Sequence, residues 1–212
     1  FLQGQLTCDL NQVIPNQSCR GALANYQGRL IASFRLWAYE EGYFMQLPLG
    51  LLDKVMTHLN KYARFSQVKL SKAPSFLKIY GFWPDTESDT HLFLPEGALI
   101  SRNFAGHNSY TLLTEKTYAS TLPPTALTEL EIQAGYVEIT PGLSEAFTAH
   151  DLNYPALGLI SFNKGCYTGQ EIIARMQYRA KLKQHLYSAE WCAQGLPEPG
   201  TEIQFSEAGI FK

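Results

Sequence analysis

The sequence predicts an α+β fold. Runs with strand character and runs with helical spacing alternate along the chain without sorting into separate halves, which is the pattern of an α+β layer arrangement. Apolar residues make up 45% and charged residues 17%, enough to bury a core and too apolar for a disordered chain. The 212 residues make one large domain or two small ones.

The first elements are strands. Ile31, Phe34, Leu36, Trp37 and Tyr39 form a β-rich run, Glu40-Glu41-Gly42 is a turn signal, and Tyr43, Phe44 and Met45 continue beyond it as the second arm of a hairpin. Gly28 marks the earlier turn Tyr26–Arg29. Pro48 stands where a helix is expected to open, and Leu51, Leu52, Val55, Met56, Leu59 and Tyr62 share one helix face. Val68–Leu70 and Phe76–Phe82 read as strands, 84–91 as a polar loop, and Leu92–Leu94 and Tyr110–Leu113 as further strands. Thr121-Leu122-Pro123-Pro124-Thr125 is the clearest linker, because paired prolines stop both helix and sheet. A helix over Leu127–Tyr136 follows.

Charge and cysteine usage narrow the function classes. Lys+Arg 17 against Asp+Glu 19 gives a net charge of -2, which disfavours a globally basic nucleic-acid binder but leaves room for a local basic patch. No apolar run approaches the roughly 18–20 residues that span a bilayer. The cysteines (Cys8, Cys19, Cys166, Cys192) are widely and irregularly spaced, without a CxxC, and the histidines are scattered. Free thiols in a reducing cytosol are the simpler reading, and no metal site is expected. The chain opens at Phe1 without a Met and closes on the strand-like Gly209-Ile210-Phe211-Lys212, so both ends read as cut from a longer protein.

The chemistry concentrates in residues 161–179. Thr168 and Glu171 have the T-x-x-E spacing of a capping box, which predicts a helix starting at Gly169 with Ile172, Ile173 and Met176 inward. Cys166 then precedes a helix N-terminus, with Lys164 two residues away, and both effects favour a thiolate. The alternative is an inert thiol packed between Tyr167 and Phe162. Arg175 and Arg179 follow Glu171 at steps of four, and Lys181, Lys183 and His185 extend the basic run. Such a run is either a solvated face or a contact for an anionic ligand tail or RNA phosphates.

The run Lys164-Gly165-Cys166-Tyr167-Thr168-Gly169-Gln170-Glu171 resembles the K-G-C-[FY]-x-G-Q-E signature of the YgfZ family, and Phe1-Leu2-Gln3-Gly4-Gln5-Leu6-Thr7 is similar to that family's N-terminal segment. The resemblance extends over essentially the whole chain, and over its middle third in pattern only. It implies a folate-binding fold like that of the glycine-cleavage T-protein, with antiparallel sheets and flanking helices. The implied units are a discontinuous folate-binding lobe over 1–47 plus 129–180, a second α+β lobe over 48–128, and the start of a C-terminal β-barrel over 181–212. It further implies a cytoplasmic accessory protein that binds tetrahydrofolate or a derivative. Such a protein supports iron–sulfur cluster assembly or repair, and through it tRNA modification, with assembly or client proteins and a tRNA contact as partners.

On this resemblance Cys166 is the candidate redox or thiol residue. Tyr26, Arg29, Gln133 and Tyr136 are candidates for the pterin or aminobenzoate, with Lys164 also placed at the folate and Arg175 at the glutamate tail. Three departures bear on function. Where T-proteins carry an aspartate pair, this chain has Ala32 and Ser33, so one-carbon transfer of that type lacks its carboxylate. Gln133 stands where relatives place glutamate, which predicts retained but weaker pterin binding unless Glu131 or Glu138 substitutes. Ala149-His150 replaces a Pro-Gln. A folate-dependent one-carbon transferase with another base, and a tRNA- or protein-docking module, are the competing readings.

Overall fold

The structure is a computed structural model. It describes residues 1–14, 18–39, 41–84, 98–104, 106–123, 125–179, 181–182, 184–191, 194–195, 197–198 and 201–203. Two three-stranded antiparallel sheets and three helices make up its regular structure among these residues.

The first sheet has the order β1 (Ser18–Ala24), β2 (Leu30–Tyr39), β3 (Gly42–Gln46). Strand β2 is buried without a break from Leu30 to Trp37, so it lacks the in–out alternation of a half-solvated strand and is covered on both faces. Val55 and Leu59 of helix α1 (Leu52–Ala63), together with Ile139, Tyr154, Leu159 and Ile173, join it in one core. Each such side chain is worth about 1.5–3 kcal/mol of apolar burial.

The second sheet has the order β4 (Lys78–Phe82), β6 (Tyr110–Thr114), β5 (Leu99–Arg102). It meets the first through polar bonds. Ser18 Oγ donates to Ser101 Oγ at 2.6 Å. Arg35 Nη2 and Thr111 Oγ1 both donate to Asn103 Oδ1 at 2.6 Å. Burial, with Arg20 nearby, pulls the Arg35 guanidinium down to about 9.

Several elements differ from the sequence reading. A 3-10 turn over Leu49–Leu51 precedes α1, and Tyr62 is exposed rather than inward. Residues 68–70 are in no strand, and Phe76 precedes β4. The Leu92–Leu94 strand and residues 85–91 of the polar loop lie outside the described residues. Helix α2 runs Thr125–Gln133, because Gly135 adopts a left-handed φ of 68° and ends it. Tyr136 therefore stands beyond the helix, with its amide on Glu131 O at 2.8 Å. Helix α3 (Gln170–Arg179) starts one residue later than expected. Among the described residues after Arg179 none is in a strand. No helix of the described residues is long and apolar enough to cross a membrane.

His58 on α1 gives the first prediction. Its Nε2 is buried without a hydrogen-bond partner, and burial, seconded by Lys61, holds its pKa below the usual histidine value. The unfolded chain therefore binds the proton more readily than the folded one. Stability is expected to be full above about pH 6.5, the unfolded value, and to fall as pH drops through the lowered folded value. Urea titrations from pH 7.5 to 5 check this, and His58→Gln should flatten the slope.

Candidate functional site

The signature loop is built onto the N-terminal segment. Thr7 is fully buried and donates its hydroxyl to Leu159 O at 2.9 Å while accepting from Ala22 N at 2.8 Å. Ser161 N donates to Thr7 O at 2.9 Å. The Lys164 ammonium is buried and donates to Leu6 O at 2.8 Å and Cys8 O at 2.7 Å. Thr168 N reaches Gly4 O at 3.2 Å, and its hydroxyl donates to Gln5 Oε1 at 3.4 Å. Residues 1–8 are thus threaded between β1 and the 159–168 loop, so the two segments that carry the sequence resemblance are a single packed unit.

Two sequence expectations change here. Thr168 turns its hydroxyl to Gln5, while Gly169, at φ 84°, is the hinge before α3; the tertiary partner replaces the expected capping box. Lys164, expected beside Cys166, turns inward to the backbone at Leu6 and Cys8. Burial lowers its pKa, opposed chiefly by Cys8 and then Asp9. Cys166 itself is exposed, not packed between Tyr167 and Phe162.

A cleft of about 470 Å³ opens beside this unit. Cys8, Cys19, Arg20, Arg102 and Phe104 line it, together with residues 157–163. It draws on the first sheet, the second sheet and the segment just before the signature octet, whose own residues, Cys166 among them, do not line it. The Arg20 guanidinium lies 4.3 Å from the Phe104 ring centroid and 4.4 Å from that of Tyr136, and 3.5 Å from Glu131. Arg20 Nε is buried with no partner, a donor left over after these contacts. Burial pushes the Glu131 carboxyl up, with Arg20 opposing. Tyr136 stacks on Tyr154 at 5.8 Å. A larger cleft of about 750 Å³ lies on the second sheet among Ile79, Phe82, Ile100, Leu112, Tyr118 and Leu127, lined mostly by apolar side chains. Convergent polar groups distinguish a binding site better than volume, which favours the smaller cleft.

The sequence-predicted residues are not gathered in one place. Tyr136 stands behind Arg20, and Lys164 stands behind Cys8. Gln133 lines a third cleft of about 490 Å³ with Trp83 and His107. Tyr26 and Arg29 are exposed on the β1–β2 turn, where Arg29 Nη1 bonds Ala146 O. Arg175 is exposed on α3. Ala32 is buried, and Ser33 Oγ accepts from Ile139 N at 2.9 Å, so both serve the core. His150 is buried, with Nε2 at 3.1 Å from Gln177 Oε1 of α3. Arg20, Phe104 and Glu131 as a group, and the approach of Cys8 to Cys19, were missed by sequence reading. No sequence signal marked them; it is the bridge between Leu6 and Leu23 in the fold that brings Cys8 near β1.

The chain is 29% identical to the tRNA-modifying protein YgfZ of Escherichia fergusonii, over 96% of its own length and 70% of the relative's. The proteins of that name from Escherichia coli strain SE11 and Shigella boydii serotype 18 match at the same identity and coverage. No protein-family model matches the chain.

Proposed function

The chain belongs to the YgfZ family, and from that footing we propose that it is a folate-binding accessory protein of tRNA modification. It supports iron–sulfur cluster assembly or repair through the thiol of Cys166, the cluster being its cargo. The relatives' printed name supports the tRNA link. The observation that carries the role of Cys166 is the contrast around it. Lys164 and Thr168 are bonded inward to the N-terminal segment, while the sulfur between them is left in solvent. A side chain kept only for packing has no reason to stand outside.

Tetrahydrofolate or a derivative fits the 470 Å³ cleft in size and chemistry. Arg20 offers a guanidinium edge to a carboxylate beside the Phe104 ring. Arg20 Nε is a buried donor in want of an acceptor. Glu131, two residues before Gln133 and paired with Arg20, is the acid best placed to substitute for the family glutamate. A reduced folate would supply an electron-rich pterin to this cleft. The burial of Ala32 and Ser33 favours the accessory reading over a T-protein-type transferase. Exposed Arg175, Arg179 and Lys181 are available to RNA phosphates.

In cells lacking the protein, the full-length wild type is expected to restore tRNA nucleosides made by iron–sulfur enzymes, and Cys166→Ala is expected not to. Full restoration by Cys166→Ala, measured by mass spectrometry of digested tRNA, removes the thiol role. Calorimetry with tetrahydrofolate and 5-formyl-tetrahydrofolate tests the cleft. Arg20→Met should weaken binding about tenfold, the loss of one charge-assisted bond, and unchanged affinity sends the folate elsewhere.

A further inference from the structure

We propose that Cys8 and Cys19 are a redox-active dithiol, oxidised to an internal disulfide by a low-molecular-weight disulfide that enters the 470 Å³ cleft. The inference is independent of folate binding and of any role for Cys166.

The geometry begins with register. Leu6 pairs with Leu23 in an antiparallel bridge, which sets Cys8 against Gly21 of β1. Cys19 lies two residues from Gly21 and so on the same face of the strand. Gly21 leaves the space that lets the two sulfurs meet. A Cβ there would stand 2.9 Å from Cys8 Sγ and 3.0 Å from the Phe34 ring. The Cys8 side chain therefore lies across the glycine, with its sulfur 3.2 Å from Cys19 Sγ. A disulfide needs these sulfurs to close to about 2.05 Å, a movement that rotation of two short side chains supplies.

The surroundings suit exchange. Both cysteines line the cleft, Cys8 buried and Cys19 half-buried. Cys19 donates its proton toward Cys8. The Lys164 ammonium, fixed on Cys8 O at 2.7 Å, adds a positive charge behind the pair. The Cys19 hydrogen bond, with Lys164 behind it, holds the Cys8 thiol below its usual value against burial, while Cys19 is pushed up. The pair reacts in the form that has lost one proton, with the remaining proton held by Cys19 toward Cys8.

The electrons balance with the disulfide RSSR as oxidant. Cys19, the more open sulfur, passes its proton to Cys8 and attacks one sulfur of RSSR. The Cys19–SR bond forms, the S–S bond of the reagent breaks, and the first RS⁻ leaves with the Cys8 proton. The Cys8 thiolate then attacks Cys19 Sγ, the Cys8–Cys19 bond forms, and the second RS⁻ leaves and takes a proton from water. Two electrons pass from the dithiol to the reagent, which ends as two thiols.

The test uses the full-length wild-type chain, folded, treated with oxidised glutathione, then alkylated and mapped by mass spectrometry. Cleavage before Asp9 separates the two cysteines. The expected result is a disulfide joining the Cys8 and Cys19 peptides. Alkylated Cys8 and Cys19 beside an oxidised Cys166 overturns the proposal, as does a lasting glutathione adduct on Cys19. Because the mapping needs no variant, a folding defect does not enter the result.

Discussion

Lys164→Met is expected to cost about 2–4 kcal/mol of folding stability. The lysine gives two charge-assisted hydrogen bonds, to Leu6 O and Cys8 O, from a buried position. Bonds of that kind are worth about 1.5–3 kcal/mol each, and removing the donor strands two carbonyls in the interior. Against the gain stands the desolvation of the ammonium, visible in its lowered pKa, which is why the net is set below the sum of the two bonds. Methionine fills nearly the same volume, so the loss reads the polar contacts and not a cavity. Measured by urea unfolding, this loss is a large part of the 5–15 kcal/mol of a typical domain. A change below about 0.5 kcal/mol, the size typical of surface substitutions, would mean that the N-terminal segment is held by its apolar contacts and by the bonds of Thr7 and Thr168 without help from Lys164.

The same lysine marks how far sequence can be read. A local reading pairs it with Cys166 two positions away. In the fold its contacts are 158 and 156 residues upstream, because a long side chain on a turn spans to whatever backbone needs a donor. Thr168 repeats the lesson. Its spacing to Glu171 is that of a capping box, yet Gln5 offers a partner from 163 residues away and Gly169 takes the turn. The periodic elements behave differently. Strand β2 was legible from a dense aliphatic and aromatic run, which it buries continuously, and helix α1 from a helical repeat that Val55 and Leu59 bury. Strand β5 was not, since Leu99–Arg102 is four residues long and too short for a period to register.

The candidate site was legible in part for the same reason. The signature octet and the N-terminal segment are each a continuous string, so sequence alone could single them out. The cleft is not continuous. Arg20 comes from β1, Phe104 follows β5 and Glu131 belongs to α2; Glu131 was marked only through its neighbour Gln133, and nothing nearby in sequence marks Arg20 or Phe104. Cys8 and Cys19 were set aside as irregularly spaced. Only the antiparallel bridge at Leu6 and Leu23 turns eleven positions of separation into contact.

Gly169→Ala tests whether the hinge before α3 holds the signature loop in place. Two costs add. Gly169 has φ 84°, where a Cβ costs about 1–2 kcal/mol. The added carbon would also stand 2.6 Å from Asn25 O, 3.1 Å from Ala24 Cβ and 3.4 Å from Gly28 Cα. The nearest of these is backbone and does not swing aside as a flexible side chain does. Asn25 is itself fixed, since its side chain accepts from the amides of Gln27 and Arg29 to shape the β1–β2 turn, so relief must come from α3 moving off the sheet. Such overpacking costs about 1–3 kcal/mol more. A total of roughly 2–5 kcal/mol is expected in urea unfolding. The helix is anchored by Ile173, which is fully buried, so displacement at its first turn should also raise amide exchange through residues 164–173 while β3 stays protected. Gly165→Ala is the matched control, because a Cβ there meets nothing within 4 Å and its φ is not in the left-handed region. Equal stability of the two variants would mean that the close approach at Gly169 does not hold the loop, and that the bonds of Lys164, Thr7 and Thr168 tie it down.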